Sequence, residues 1–142
     1  MAARADGRRH ALIEQLSKAE WSSLTSENAD TVVQLLTAYI SLWNERDPAV
    51  RRAIGSEVFT PDVLYSDPNI SAEGRPAIDT YVSGWQLQFT DTVFRLGEVR
   101  SHHNLAHFYW SFGPPSESPV ADGWDVVVLE HGRISRIYGF FR

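Results

Sequence analysis

The chain contains no cysteine among its 142 residues, so disulfides, thiol nucleophiles and cysteine-ligated zinc are excluded. Basic clusters are equally scarce. The densest is Arg4, Arg8 and Arg9, diluted by Asp6 and Glu14, in a chain of net charge −5. Nucleic acid is not an expected partner, because phosphate neutralisation supplies most of that affinity. Long apolar runs are missing as well. The stretch Val32 to Trp43 is broken by Gln34, Thr37 and Ser41, and Ala11-Leu12-Ile13 ends at Glu14. Neither reads as a membrane span or a signal peptide, so the expected location is cytoplasmic and no membrane partner is expected. There is no glycine-rich phosphate loop and no Gly-x-Ser-x-Gly elbow. His102 and His103 are adjacent, which on a strand sends them to opposite faces, so no metal site and no cofactor are expected.

What is present is an ordinary globular composition, 43% hydrophobic and 22% charged, with five Trp, five Tyr and seven Phe. A chain of this length buries about two-thirds of its unfolded surface and supports one core unaided. Residues 1–26 read as a polar extension with room for one short helix over Ala11–Trp21. Residues 27–142 read as one domain.

Within that domain, apolar residues at 32, 36, 39 and 43, flanked by 35, 40 and 42, predict a helix from Asn28 to Arg46 with a broad buried face. Asp47-Pro48 pairs a good N-cap with a proline suited to the first helical turn, so a second helix should run to about Glu57. A third should follow Gly74-Arg75-Pro76, with Ile78, Tyr81, Val82, Trp85 and Phe89 on one face. A short strand, Val63 to Asp67, separates the last two helices. Beyond Phe89, segments 92–100, 104–112, 124–130 and 134–141 are rich in β-branched and aromatic residues, and His131-Gly132 suits a tight hairpin. Helices followed by an antiparallel meander predict an α+β domain with a four- or five-stranded sheet. Strands such as Asp125–Leu129 are apolar on both faces, and three helices cover only one. The outer face, with Tyr109, Trp124, Val126, Val128 and Phe140, is therefore expected to pack on a second copy, giving a homodimer.

The helix ending Leu42-Trp43-Asn44-Glu45-Arg46-Asp47, the strand ending Tyr65-Ser66-Asp67-Pro68, the Gly74-Arg75-Pro76-Ala77-Ile78 start and the final hairpin Gly132-Arg133-Ile134 to Gly139-Phe140-Phe141 together resemble the SnoaL-like branch of the nuclear transport factor 2-like superfamily. The resemblance covers about residues 28–142. It implies a curved mixed or antiparallel sheet wrapped around a long N-terminal helix, a cone with an internal pocket. The superfamily includes ketosteroid isomerases, polyketide cyclases, epoxide hydrolases, dehydratases and members that only bind, and the fold does not choose among them.

Carried onto this sequence, the isomerase branch implies three catalytic positions. Asp67 falls where the base abstracts a proton beside a carbonyl, Tyr39 where a phenol donates to the developing oxyanion, and Asp125 where a protonated carboxyl donates to the same oxygen. Asp125 has the parity of Val127 and Leu129, so it shares their face. The plainer readings are a turn-forming Asp67, a core Tyr39 and a strand-end Asp125 bonded to nearby backbone. Trp43, Trp85, Phe89, Asn104, Phe108, Trp110 and Phe141 are the expected substrate-contacting residues, although aromatic side chains at such spacing equally build a plain core. An epoxide-hydrolase arrangement would need a strand arginine, Arg95 or Arg100, beside the carboxylates. Two functions follow: an acid–base enzyme (isomerase, cyclase or hydrolase) acting on a small apolar carbonyl or cyclic metabolite, or a non-catalytic ligand-binding or dimerisation domain.

Overall fold

In a computed structural model the backbone is described for residues 18–142 and the side chains for residues 29–142. The expected short helix over Ala11–Trp21 lies largely outside the described residues. The chain divides into two units at Thr31/Val32, and the core and the candidate site described below lie in the second.

Helix α1 spans Lys18–Asn44, α2 Pro48–Val58 and α3 Arg75–Gln88, with strands β1 Phe59–Asp67, β2 Ile70–Glu73, β3 Val93–His102, β4 Leu105–Gly113, β5 Ala121–Glu130 and β6 Arg133–Phe141. The sheet has six strands in the order β2-β1-β6-β5-β4-β3, one more than the largest sheet expected. The addition is β2, four residues with one buried side chain, too short to show a period. Strand β1 runs parallel to β6, whereas every other neighbouring pair is antiparallel, so the sheet is mixed.

The local signals act as physical chemistry predicts. Asp47 caps α2 by accepting from the amides of Ala49 (2.9 Å) and Val50 (3.3 Å). His131 and Gly132 both take positive φ, 52° and 75°, the conformation a two-residue hairpin of the right twist demands. His103 also takes positive φ, 51°, at the β3–β4 turn. That turn brings the two imidazoles together, Nδ1 to Nδ1 at 3.3 Å, rather than sending them to opposite faces.

The core joins α1 from Val32 onward to the concave side of the sheet. Leu36, Ile78, Val82, Phe108, Val127, Ile134 and Ile137 have no exposed surface. Polar side chains set the end of α1. The Asn44 amide exchanges two hydrogen bonds with the backbone of Phe94 (2.8 and 2.9 Å). Gln86 donates to the carbonyls of Trp43 and Glu45, and buried Arg51 binds Asp79 (2.6 Å), Gln86 and the Glu45 carbonyl. These bonds satisfy carbonyls that a helix end leaves open, and they hold Trp43 against Phe94 and α3.

Candidate active site

A cavity opens where the end of α1, the middle of α3 and five strands meet. It is lined by Tyr39, Ile40, Trp43, Tyr65, Asp67, Tyr81, Trp85, Phe94, Trp110, Asp125, Gly139 and Phe141. Its free volume is small, about 30 Å³, enough for water-sized occupants only in this conformation. A larger opening of about 290 Å³ lies between α2 and α3, but there Arg51 is committed to Asp79 and Arg75 to the carbonyls of Ser56 and Phe59. Size alone does not select the site; carboxyl and phenol side chains converge in the smaller cavity.

Backbone register brings the two carboxyl side chains together. Asp125 pairs with Gly139 across β5 and β6, and Ser66 pairs with Tyr138 across β1 and β6, which sets Asp67 beside Gly139 from the other side. A Cβ on Gly139 would stand 3.1 Å from Asp125 Oδ1 and 3.3 Å from Asp67 Cβ. Glycine therefore leaves the space in which the two carboxyls approach one another. Asp125 lies in the middle of β5, not at its start as the sequence suggested, because the strand begins at Ala121.

The two carboxyls differ in what surrounds them. Asp67 accepts four hydrogen bonds. Its Oδ2 receives the hydroxyls of Tyr65 (2.7 Å) and Tyr81 (2.8 Å), and its Oδ1 the amides of Asn69 (2.8 Å) and Ile70 (3.1 Å). Asp125 is 6% exposed and, among the described residues, receives one hydrogen bond, from Trp110 Nε1 (2.9 Å). Burial, opposed by the Trp110 bond and helped by the nearby charge of Asp67, pushes its carboxyl from 3.8 up to about 7. Burial also holds the Tyr39 hydroxyl well above the usual phenol value, with the Asp125 charge adding to it and a hydrogen bond from Trp43 opposing it. Tyr65 is raised in the same way, again chiefly by burial, and Tyr81 is pushed up to about 12. All three phenols are hydrogen-bond donors at neutral pH.

Of the expected residues, Tyr39, Asp67, Asp125, Trp43, Trp85, Trp110 and Phe141 line this cavity, whereas Phe89, Asn104 and Phe108 do not. Phe108 is fully buried and packs edge-on against Tyr39, a core position. Phe89 ends α3 and packs on Trp85 and Phe112. Asn104 is exposed at the β3–β4 turn, where its carbonyl accepts from Leu129, because pairing starts only at Leu105. Arg95 and Arg100 also lie away from the cavity, bonded to the Pro115 carbonyl and to Glu98, so the arginine-assisted arrangement is not formed. Sequence reading assigned no site role to Tyr65 or Tyr81. Tyr65 shares a strand face with Asp67 two residues on, and Tyr81 lies on the buried stripe of α3, so parity and helical spacing carried the signal.

The curved, unclosed mixed sheet with its three helices is the fold of the SnoaL-like domain. The family profile of that domain matches residues 36–137, and the chain belongs to the family. It is similar to a solved SnoaL-like family protein of Agrobacterium tumefaciens, provisionally named an isomerase, at 30% identity and a TM-score of 0.75, over 80% of this chain and 98% of that one. It also resembles in fold a provisionally named ketosteroid isomerase of Kribbella flavida (17% identity, TM-score 0.60, 80% and 78% covered). A third likeness is to a provisionally named polyketide cyclase of Sinorhizobium meliloti (19% identity, TM-score 0.61, 75% and 93% covered). No curated protein matches the chain.

Proposed function

We propose that this protein is an acid–base enzyme that moves a proton on a small, largely apolar carbonyl compound, with Asp125 as the proton carrier. The observation that carries this reading is the Asp125 carboxyl: buried in an aromatic cavity, bonded to a single indole, and titrating near neutrality. A carboxyl poised near the working pH serves both as base and as returning acid. Tyr39, protonated and lining the same cavity, donates to the oxygen on which enolate charge develops.

This division of labour differs from the one that the isomerase resemblance implies. Asp67 has both oxygens engaged by four donors, so it offers no free lone pair to a substrate C–H. It acts instead as a fixed charge beside Asp125. Entry of a substrate requires the cavity to widen, and Phe141, 41% exposed and edge-on to Trp110, is the lining residue best placed to move. A steroid skeleton is too large for this space, and one or two rings suit it better.

The convex face of the sheet supports a second copy of the chain as partner. Tyr109, Tyr138 and Phe140 are 40 to 46% exposed there, and Trp124 stacks on Phe140 at 14° between planes. Contiguous exposed aromatic surface of this kind marks an interaction face. Sedimentation should show a dimer, and Phe140→Asp should return it to monomer.

The catalytic reading is tested by screening cyclic enones and ketones for exchange of their α-protons with deuterated water. Exchange by the parent protein that falls about a hundredfold or more in Asp125→Asn, with ketone binding retained, supports it. Exchange lost in Asp67→Asn but kept in Asp125→Asn assigns the base to Asp67 instead. No exchange with any carbonyl compound leaves the non-catalytic binding domain as the better description.

A further inference from the structure

Three indoles line the cavity. Trp110 donates to Asp125 (2.9 Å), and Trp43 stands close enough to the Tyr39 hydroxyl to oppose the rise of its titration point. The third, Trp85 Nε1, is buried with no hydrogen-bond partner. Its ring is wedged among Phe89, Phe94 and Phe112, with centroid separations of 4.9 to 6.0 Å, so it is not free to turn toward water. Leaving such a donor unpaired costs about 1–3 kcal/mol, and buried donors in folded proteins nearly always find an acceptor. The other aromatic residues packed on it, all phenylalanines, offer no lone pair. A site that carries an unpaired donor favours ligands able to pair it, and rejects analogues that cannot.

We infer that Trp85 is a specificity-determining residue, and that the ligand of this cavity carries an acceptor oxygen that receives the Trp85 indole N–H. The inference rests on the reading of this cavity as the substrate site. It adds that the molecule is oxygenated on the α3 side, apart from the oxygen served by Tyr39. The substrate class is therefore a dioxygenated compound, a dicarbonyl or hydroxy-carbonyl rather than a simple ketone. A simple ketone, having one oxygen, still reports on Trp85 because it can occupy that end of the cavity.

The experiment compares cyclohexanone with methylenecyclohexane, which has the same shape but a CH2 group in place of the oxygen, using the assigned indole N–H resonances of the intact protein. Cyclohexanone is expected to move the Trp85 indole proton downfield, and methylenecyclohexane is not. In Trp85→Phe the ratio of ketone to alkene affinity should fall about tenfold, the equivalent of one hydrogen bond. That ratio cancels the loss of ring volume common to both probes, and the parent spectra alone decide the matter if the variant does not fold. The inference is overturned if cyclohexanone shifts other cavity resonances but not Trp85, if both probes shift Trp85 alike, or if cyclohexanone shifts nothing up to its solubility limit. An indole proton already held upfield by the Phe112 ring and unmoved by ketone would show that the ring is its partner. These results are separable from the catalytic reading, since Asp125→Asn should abolish proton exchange without changing the Trp85 shift.

Discussion

Asp67 and Asp125 are the same residue type, on strands separated only by β6, facing one cavity. They end in opposite conditions: Asp67 has four donors around it, whereas Asp125 has one indole and apolar walls. The difference shows how little the position of a carboxylate in a strand says about its use. Asp67 ends β1, where the following turn supplies backbone amides and two phenols reach in. Asp125 sits in the middle of β5, where every backbone group is committed to the neighbouring strands and only side chains can serve it.

The sharpest way to test that contrast is the exchange assay already described, in which Asp125→Asn removes about two orders of magnitude or more. Next in size is stability. The folded carboxyl of Asp125 is raised from 3.8 to about 7, so the folded state holds a proton that the unfolded chain releases. Stability should therefore fall as pH rises from about 4 to about 7 and stay level above, the opposite of the usual buried-salt-bridge carboxylate. Asp125→Asn, which keeps an acceptor for Trp110, removes this penalty. Denaturant melts should show the variant more stable than the parent by about 2–4 kcal/mol at pH 8, with the difference shrinking toward pH 4.

Smaller effects are expected from the Asp67 side. Tyr65→Phe removes a buried donor to a charged acceptor and should destabilise by about 1–3 kcal/mol. Tyr81→Phe, at a partly exposed site, should cost less. The double variant should cost other than the sum, because both hydroxyls serve one oxygen. Asp67→Asn should lower the Asp125 titration point, since it removes a neighbouring negative charge. A carbon-detected titration of the carboxyl resonance reads this directly. Gly139→Ala places a methyl against both side chains and should cost about 1–3 kcal/mol; a stability equal to the parent would mean the two carboxyls move apart freely.

Much of the fold was legible because its signals are local. The 3.6-residue stripe of α1, the Asp47-Pro48 cap, the His131-Gly132 hairpin and the β-rich second half each follow from near neighbours in sequence. Strand β2 was not legible, since four residues are too few for a period, and its pairing to Leu64–Asp67 is a tertiary event. Of the candidate site residues, parity indicated the inward face of Asp125 and helical spacing that of Tyr39, whereas Asp67 was singled out by the family resemblance. Asn104 was misplaced because a turn with positive φ at His103 interrupts the alternation.

What the sequence determined by itself is the set of elements, the absence of thiol chemistry, and the inward placement of the aromatic residues and carboxyls, all consequences of periodicity and composition. What the tertiary structure decided is which carboxyl is surrounded by donors and which is left with one. Hydrogen-bond partners such as Tyr81 for Asp67 and Trp110 for Asp125 arrive from elements 14 and 15 residues away. Burial, which moves a titration point, depends on every wall of the cavity at once.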